Sequence, residues 1–244
     1  MTRWLPAIPL LLAVVLSGCP DDGVGGGDAG ALPDVTCGPG DPTATPHGRL
    51  IVTTEHYGAG GAVTAIDLNT LEAEVNVALT HDDVTARWFD GRIWVLNRFG
   101  ADNVMVLDGA DYGLLKQFTV RPGTDRHCNP HDLLFLDRCK VYLSCFEQPE
   151  LQILEPWAPA GEERVGTIDL GELADDDGIP ELSHFTELDG LVYLTVDRMD
   201  RQSWTPVTPS YVAVIDPEAD ALVDRIELQS WNPLGPLRHR PSTA

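Results

Sequence analysis

Between Gly48 and Leu228 the chain runs four times through the same order of elements, and that repetition limits its fold more than any other feature. Each unit opens with a short turn and an apolar-rich run: GRLIVTT (48–54), DGRIWVLN (90–97), DRCKVYLSC (137–145) and DGLVYLTV (189–196). Aligning Ile51, Trp94, Tyr142 and Tyr193 gives spacings of 43, 48 and 51 residues. A second run ends near an acid: AVTAIDL with Asp67, NVMVLD with Asp108, ELQILEP with Glu155 and YVAVIDP with Asp216. A third follows in EAEVNVAL, LLKQFTV, VGTIDL and LVDRIEL. VTARWF (84–89), HDLLFL (131–136) and ELSHFTEL (181–188) read as fourth strands closing the first three units.

These runs are rich in Val, Ile, Thr, Tyr and Trp and are bounded by Gly, Asp and Pro, the composition of short strands. No unit holds a ten-residue stretch of helical period, so a helical repeat is excluded. A β-sandwich accommodates regular short strands but does not explain one turn–strand–Asp order recurring four times. Four strands per unit at this period predict an all-β, propeller-like fold of about four blades. The strand count is four, four, four and three, so the last blade is expected to lack its fourth strand. After Asn232-Pro233 the chain reads LGPLRHRPSTA, with no apolar run. The resulting open edges, near Arg49–Thr54 and Leu222–Leu228, predict self-association. Trp94, Tyr142 and Tyr193, sharing one repeat position, are expected to be core packing and not a sugar platform.

YVAVIDPEADALVDRIELQSWNP (211–233) resembles the repeat of YVTN-type surface β-propellers, with looser matches at 63–79 and 104–120. The resemblance covers most of 48–235 and is weakest over 145–188, where Glu155 replaces the usual Asp. It implies a shortened propeller in an adhesive, scaffolding or enzymatic role.

At the N-terminus, Thr2-Arg3 precede an apolar run broken by Pro6 and Pro9 and ending in Leu16-Ser17-Gly18-Cys19. The run is too short for a stop-transfer helix and suits a signal peptide over 1–18. LSGC resembles the bacterial lipobox, which implies cleavage before Cys19 and acylation of that residue, palmitate included. Several acyl chains suffice for stable anchoring to a membrane. Pro20 in place of Asp implies, by the sorting rule that goes with the lipobox, the outer membrane or cell surface. Residues 19–47 then form a lipidated Gly/Pro/Asp-rich tether, 48–235 the incomplete propeller and 236–244 a disordered tail.

Sixteen Lys+Arg against 38 Asp+Glu give a net charge of −22, which excludes nucleic acid as a partner because no cationic excess displaces phosphate counterions. An unidentified protein or glycan is the expected partner. The reading is therefore a binding or scaffolding module. The alternative is a propeller lactonase or cyclase using His131 and Asp132 in RHCNPHD (126–132), where an imidazole beside a carboxylate suits general-base work. Asn-Pro as a turn initiator explains the same residues without chemistry. The acidic run 174–181 offers Asp175, Asp177 and Glu181 as oxygen ligands for calcium, but its register departs from D-x-D-x-D-G, with Leu173 and His184 at ligand positions. No cofactor is otherwise indicated. Folding HDLLFL against KVYLSC as a hairpin brings Cys128 and Cys145 together as a disulfide, leaving Cys37 to Cys139 if the tether folds back.

Overall fold

The computed structural model describes residues 33–41, 44, 48–233 and 235–238. Residues 1–18, expected to be a signal peptide, Cys19 and the first part of the expected tether lie outside them. Four antiparallel sheets follow in chain order. The first contains β1 (Arg49–His56), β2 (Gly60–Asp67) and β3 (Ala73–Thr80). The second runs β4 (Val84–Phe89), β5 (Arg92–Asn97), β6 (Asn103–Asp108) and β7 (Leu114–Thr119). The third runs β8 (Pro130–Phe135), β9 (Val141–Cys145), β10 (Glu150–Leu154) and β11 (Arg164–Asp169). In the fourth, β12 (Leu182–Leu188), β13 (Leu191–Val196), β16 (Ser210–Asp216) and β17 (Ala221–Leu228) pair in that order. A small hairpin of β14 (Met199–Asp200) and β15 (Thr205–Pro206) is inserted after β13.

The sheets are out of phase with the sequence units by one strand. VTARWF does not close the first sheet but opens the second, because Asp90 (φ 50°) and Gly91 (φ 76°) form a two-residue turn that folds it onto β5. Asp189 (φ 53°) and Gly190 (φ 77°) do the same between β12 and β13. Asp-Gly with both residues left-handed matches the twist of an antiparallel pair, so this turn is a hairpin and not a boundary between blades. The three-stranded sheet is therefore the first, not the last. Leu222–Leu228 is the ordinary outer strand of a complete blade, paired along β16. The edge left without its strand is the inner edge of β1.

The recurring acid at the end of the second run is structural. The Oδ1 of Asp67 accepts from the amides of Asn69 and Thr70, that of Asp108 from Ala110 and Asp111, and that of Asp216 from Glu218 and Ala219. Each turn then passes through one left-handed residue, Leu71, Tyr112 or Asp220. Glu155 has no such turn; its amide donates to the carbonyl of Glu163 across an expanded loop.

Alternating residues of each inner blade face opposite neighbours, which explains strands apolar on both sides. Ile93 and Val95 pack with Val63, Ala65 and Leu107 between the first and second sheets. Trp94 and Leu96 pack with Val141, Leu143 and Phe118 between the second and third. Tyr142 and Leu151 meet Leu194, Val196 and Ile215 between the third and fourth. At roughly 1.5–3 kcal/mol for each large side chain buried, these seams are the main stabilising contribution. Trp94 and Tyr142 are core residues, whereas Tyr193 is only half-buried.

Cys128 and Cys145 are joined by a disulfide where β8 enters beside the end of β9, and Cys37 is joined to Cys139. Cys37, Gly38, Asp41 and Ala44, in the segment expected to be a tether, are consequently held against the sheets. The carbonyl of Gly38 accepts from the amide of Arg138, Asp41 donates its amide to Asp90, and the Trp88 indole donates to the carbonyl of Ala44. At the other end, the carbonyl of Leu237, in the region expected to be a tail, accepts from the Thr186 hydroxyl on β12. Among the described residues no helix is long and apolar enough to cross a membrane.

Candidate functional site

The strands β4, β8 and β12 open the three complete sheets, and β8 packs on both β4 and β12, so the three line a common inner edge. At the entry of β8 the pairing slips between Pro130 and Asp132, and at the entry of β12 between Leu182 and Phe185. These bulges insert His131 on one strand and Ser183-His184 on the other, and turn them toward the shared edge. Arg98 joins them from the end of β5, Arg87 from β4 and Asp197 from the end of β13.

Asp132 is buried at the centre of the cluster. Its Oδ1 accepts from Arg87 Nε at 2.7 Å and from the amide of Leu133 at 2.8 Å. Its Oδ2 accepts from the amide of Phe185 at 3.0 Å and lies 3.6 Å from His184 Nδ1. Burial on its own raises this carboxyl, but His184, Arg87 and the Phe185 amide outweigh it and hold the group below the usual carboxylate range. Asp132 is thus a fixed anion that ties the second, third and fourth sheets together.

His131 stacks on Phe146 with ring centroids 4.4 Å apart. Its Nε2 lies 2.5 Å from Arg98 Nη2 and its Nδ1 3.4 Å from Ser183 Oγ. A guanidinium only donates, so Nε2 is the acceptor and Nδ1 carries the hydrogen. Burial, then the charge of Arg98, then His184, push this imidazole down to about 2. A ring that stays neutral, with its lone pair already engaged, has no basicity for proton abstraction near neutral pH.

His184 differs. Its ring is partly open, and Nδ1 has no hydrogen-bond partner within the protein. Asp197 is buried beside it, with Oδ1 unpartnered; burial pushes its carboxyl up to about 7, against the pull of His184 and Ser183. Arg98 Nε is a third buried polar atom without a partner. Three such atoms lie on one cluster, beside the partly exposed side chains of Arg87, Arg98 and His184, whereas most buried polar atoms of native interiors have a partner.

The other residues singled out in the sequence lie apart from this cluster. His127 Nδ1 is 2.7 Å from the buried Asp102, whose other oxygen accepts from the amides of Cys128 and Asn129, so Asp102 fixes the turn into β8. Asp175 and Asp177 line a cleft of about 470 Å³ with Arg198 and Arg201. Glu181 does not face a shared cation position with them: its oxygens accept from Arg201 Nε and the amide of Met199, both at 2.8 Å. Among the described residues no group of three His, Cys, Asp or Glu side chains could hold a metal ion. Arg87, Arg98, Ser183 and Asp197 carry no sequence motif; only the polar pair His-Asp at 131–132 pointed toward the site.

No protein-family model matches the chain, and no curated protein matches it. Solved structures do. The hydrazine synthase of Kuenenia stuttgartiensis is similar over 75% of this chain and 47% of its own, at 15% identity and a TM-score of 0.50. NirN, a dihydro-heme d1 dehydrogenase in complex with DHE, is similar over 79% and 38%, at 20% identity and a TM-score of 0.49. BamB from Moraxella catarrhalis is similar over 73% and 63%, at 13% identity and a TM-score of 0.38. These are β-propeller proteins. The fold here is a β-propeller arc. This chain spans less than two thirds of each of those chains, and likeness at such identities speaks to the fold alone.

Proposed function

We propose that this chain is a membrane-anchored, extracytoplasmic β-propeller lipoprotein, of the YVTN type in its repeats, that binds a small polar ligand or a polar group of a larger partner at the inner edge. The observation that carries the binding reading is the set of unpartnered buried atoms, His184 Nδ1, Asp197 Oδ1 and Arg98 Nε, beside the partly exposed Arg87, Arg98 and His184 side chains. A ligand offering both a donor and an acceptor satisfies them, and the two arginines favour a carboxylate or another anion. Hydrolysis through His131 is less well supported, because Arg98 and burial leave its imidazole neither basic nor free. The membrane anchor rests on LSGC at 16–19.

Two experiments test this. A thermal-shift panel of hydroxy-carboxylates, sugar acids, inorganic phosphate and neutral sugars is run on the wild type and on His184→Ala. A compound that stabilises the former and not the latter is expected; a panel with no stabiliser, or one indifferent to His184, refutes the inner-edge site. Detergent-phase partitioning tests the anchor. Cys19→Ser is expected in the aqueous phase, and its retention with detergent sinks the lipoprotein reading.

A further inference from the structure

A cleft of about 340 Å³ lies where the segment leaving β7 passes the outer strands of the third sheet. Pro122 and Arg126 line it from the connection between β7 and β8, and Arg164 and Thr167 from β11. Its charge runs against that of the chain. Two arginines and a single acid, Glu150, line it, in a protein of net charge −22. The cleft that holds Asp175 and Asp177 has four aspartates against two arginines.

The walls of this cleft are held in place. Gln152 Nε2 donates across it to the carbonyl of Val120 at 2.8 Å, and Arg164 Nη2 lies 3.4 Å from the carbonyl of Pro122. The segment carrying Arg126 is fixed by the Cys128–Cys145 disulfide and by Gln148, whose Nε2 donates to the carbonyl of His127. Arg126 itself donates to Gln148 Oε1 and lies 3.4 Å from Glu150 Oε2. The remaining donors of Arg164 have no partner among the described residues. Groups fixed in this way lose little freedom when a ligand arrives.

Gln152, which also lines the cleft, is 2% exposed and out of keeping with its place in the repeat. It pairs with Leu143 as Thr64, Met105 and Ala213 pair with Val52, Val95 and Leu194, and none of those three is a long polar side chain. Its Nε2 hydrogens go to the carbonyl of Val120 and to Cys145 Sγ, which sets the orientation of the amide. Its Oε1 is buried and has no hydrogen-bond partner. The great majority of buried side-chain oxygens in native interiors accept a hydrogen bond. Thr167, opposite Gln152 on β11, places its side chain on the same face.

We propose that this cleft is a second binding site, separate from the inner edge, and that it takes a sugar acid: a small carboxylate that also carries hydroxyl groups. The carboxylate is held by Arg126 and Arg164, whose planar forks match it. A ligand hydroxyl donates to Gln152 Oε1, the oxygen the protein leaves unpaired, with Thr167 beside it. Sulfate answers the arginines but brings no donor, and a neutral sugar brings the donor without the charge. An amino acid brings an ammonium group, which two guanidiniums repel. The volume of about 340 Å³ is at the small end of the roughly 300–1,000 Å³ usual for ligand pockets and suits one such unit.

Isothermal titration calorimetry of the full chain tests this with glucuronate, glucose and sulfate. Glucuronate is expected to bind, with glucose and sulfate weaker by roughly 10-fold or more. Arg164→Ala changes an exposed residue on the outer strand of its sheet, so the fold and the inner edge are left intact. It is expected to weaken glucuronate roughly 10- to 100-fold. Gln152→Leu removes Oε1 and is expected to erase the preference for glucuronate over sulfate; circular dichroism checks that this variant is folded, and Arg164→Ala decides alone if it is not. No glucuronate binding, glucose or sulfate bound as tightly, or a folded Gln152→Leu chain that keeps the preference each overturns the proposal. Glucuronate binding unchanged in Arg164→Ala overturns it too, and places the ligand elsewhere on the protein.

Discussion

Replacing Asp132 by Ala removes the acceptor that three donors on three sheets share. Two of its donors, the amides of Leu133 and Phe185, are left buried without a partner. At roughly 1–3 kcal/mol for each orphaned donor, the expected loss is about 3–5 kcal/mol, a large part of the 5–15 kcal/mol by which domains are stable. Arg87 adds little to this figure, because its side chain is about a third exposed and regains water. For a chain of this size the melting temperature falls by about 10 °C. Urea titration of the purified chain measures the difference directly. The pH dependence supplies a second check. The folded carboxyl of Asp132 lies below its unfolded value, so its contribution is fully present above about pH 4 and is lost as the pH falls through the depressed folded value. The gap between wild type and Asp132→Ala must therefore shrink in acid. A loss under about 1 kcal/mol at pH 7, or a gap that widens on acidification, refutes the reasoning.

Asp197 has the opposite sign: pushed up to about 7 by burial, it holds a proton in the folded chain that the unfolded chain releases above about pH 4. Stability therefore falls as the pH rises between those values, and Asp197→Asn is expected to gain on the wild type from pH 4 to pH 8; melting curves with a constant difference contradict this. Removing the Cys128–Cys145 bond with paired serines, across a sequence separation of 17, is expected to cost about 3 kcal/mol in the same titration. Gly109→Ala places a Cβ 2.3 Å from the carbonyl oxygen of Gly91 and from the Trp88 ring, so it must shift the β4–β5 turn. A melting temperature within 1 °C of wild type, with ~1 °C the usual precision, contradicts that contact.

Fold class was legible in the sequence because it depends on local signals. Alternating β-branched residues, an acid closing each second run and Gly/Asp/Pro turns act over a few residues, and their recurrence at a fixed period names the architecture. The hairpin joining Cys128 to Cys145 is equally local. What the sequence left undecided was which strand pairs with which sheet. VTARWF is as far in sequence from β3 as a hairpin partner would be, and only the left-handed turn at Asp90-Gly91 hands it to β5 and moves the missing strand from the last blade to the first. The tether likewise reads as free coil by composition, yet Cys37 lies 102 residues from the cysteine it bonds. The candidate site was the least legible part. Arg87, Arg98, Asp132, Ser183, His184 and Asp197 come from three blades and meet only because two β-bulges and the packing of β4, β8 and β12 place them together. Local propensity acts along the chain, whereas burial, pKa shifts and unpartnered atoms arise between segments far apart in sequence, and only the tertiary structure decides those.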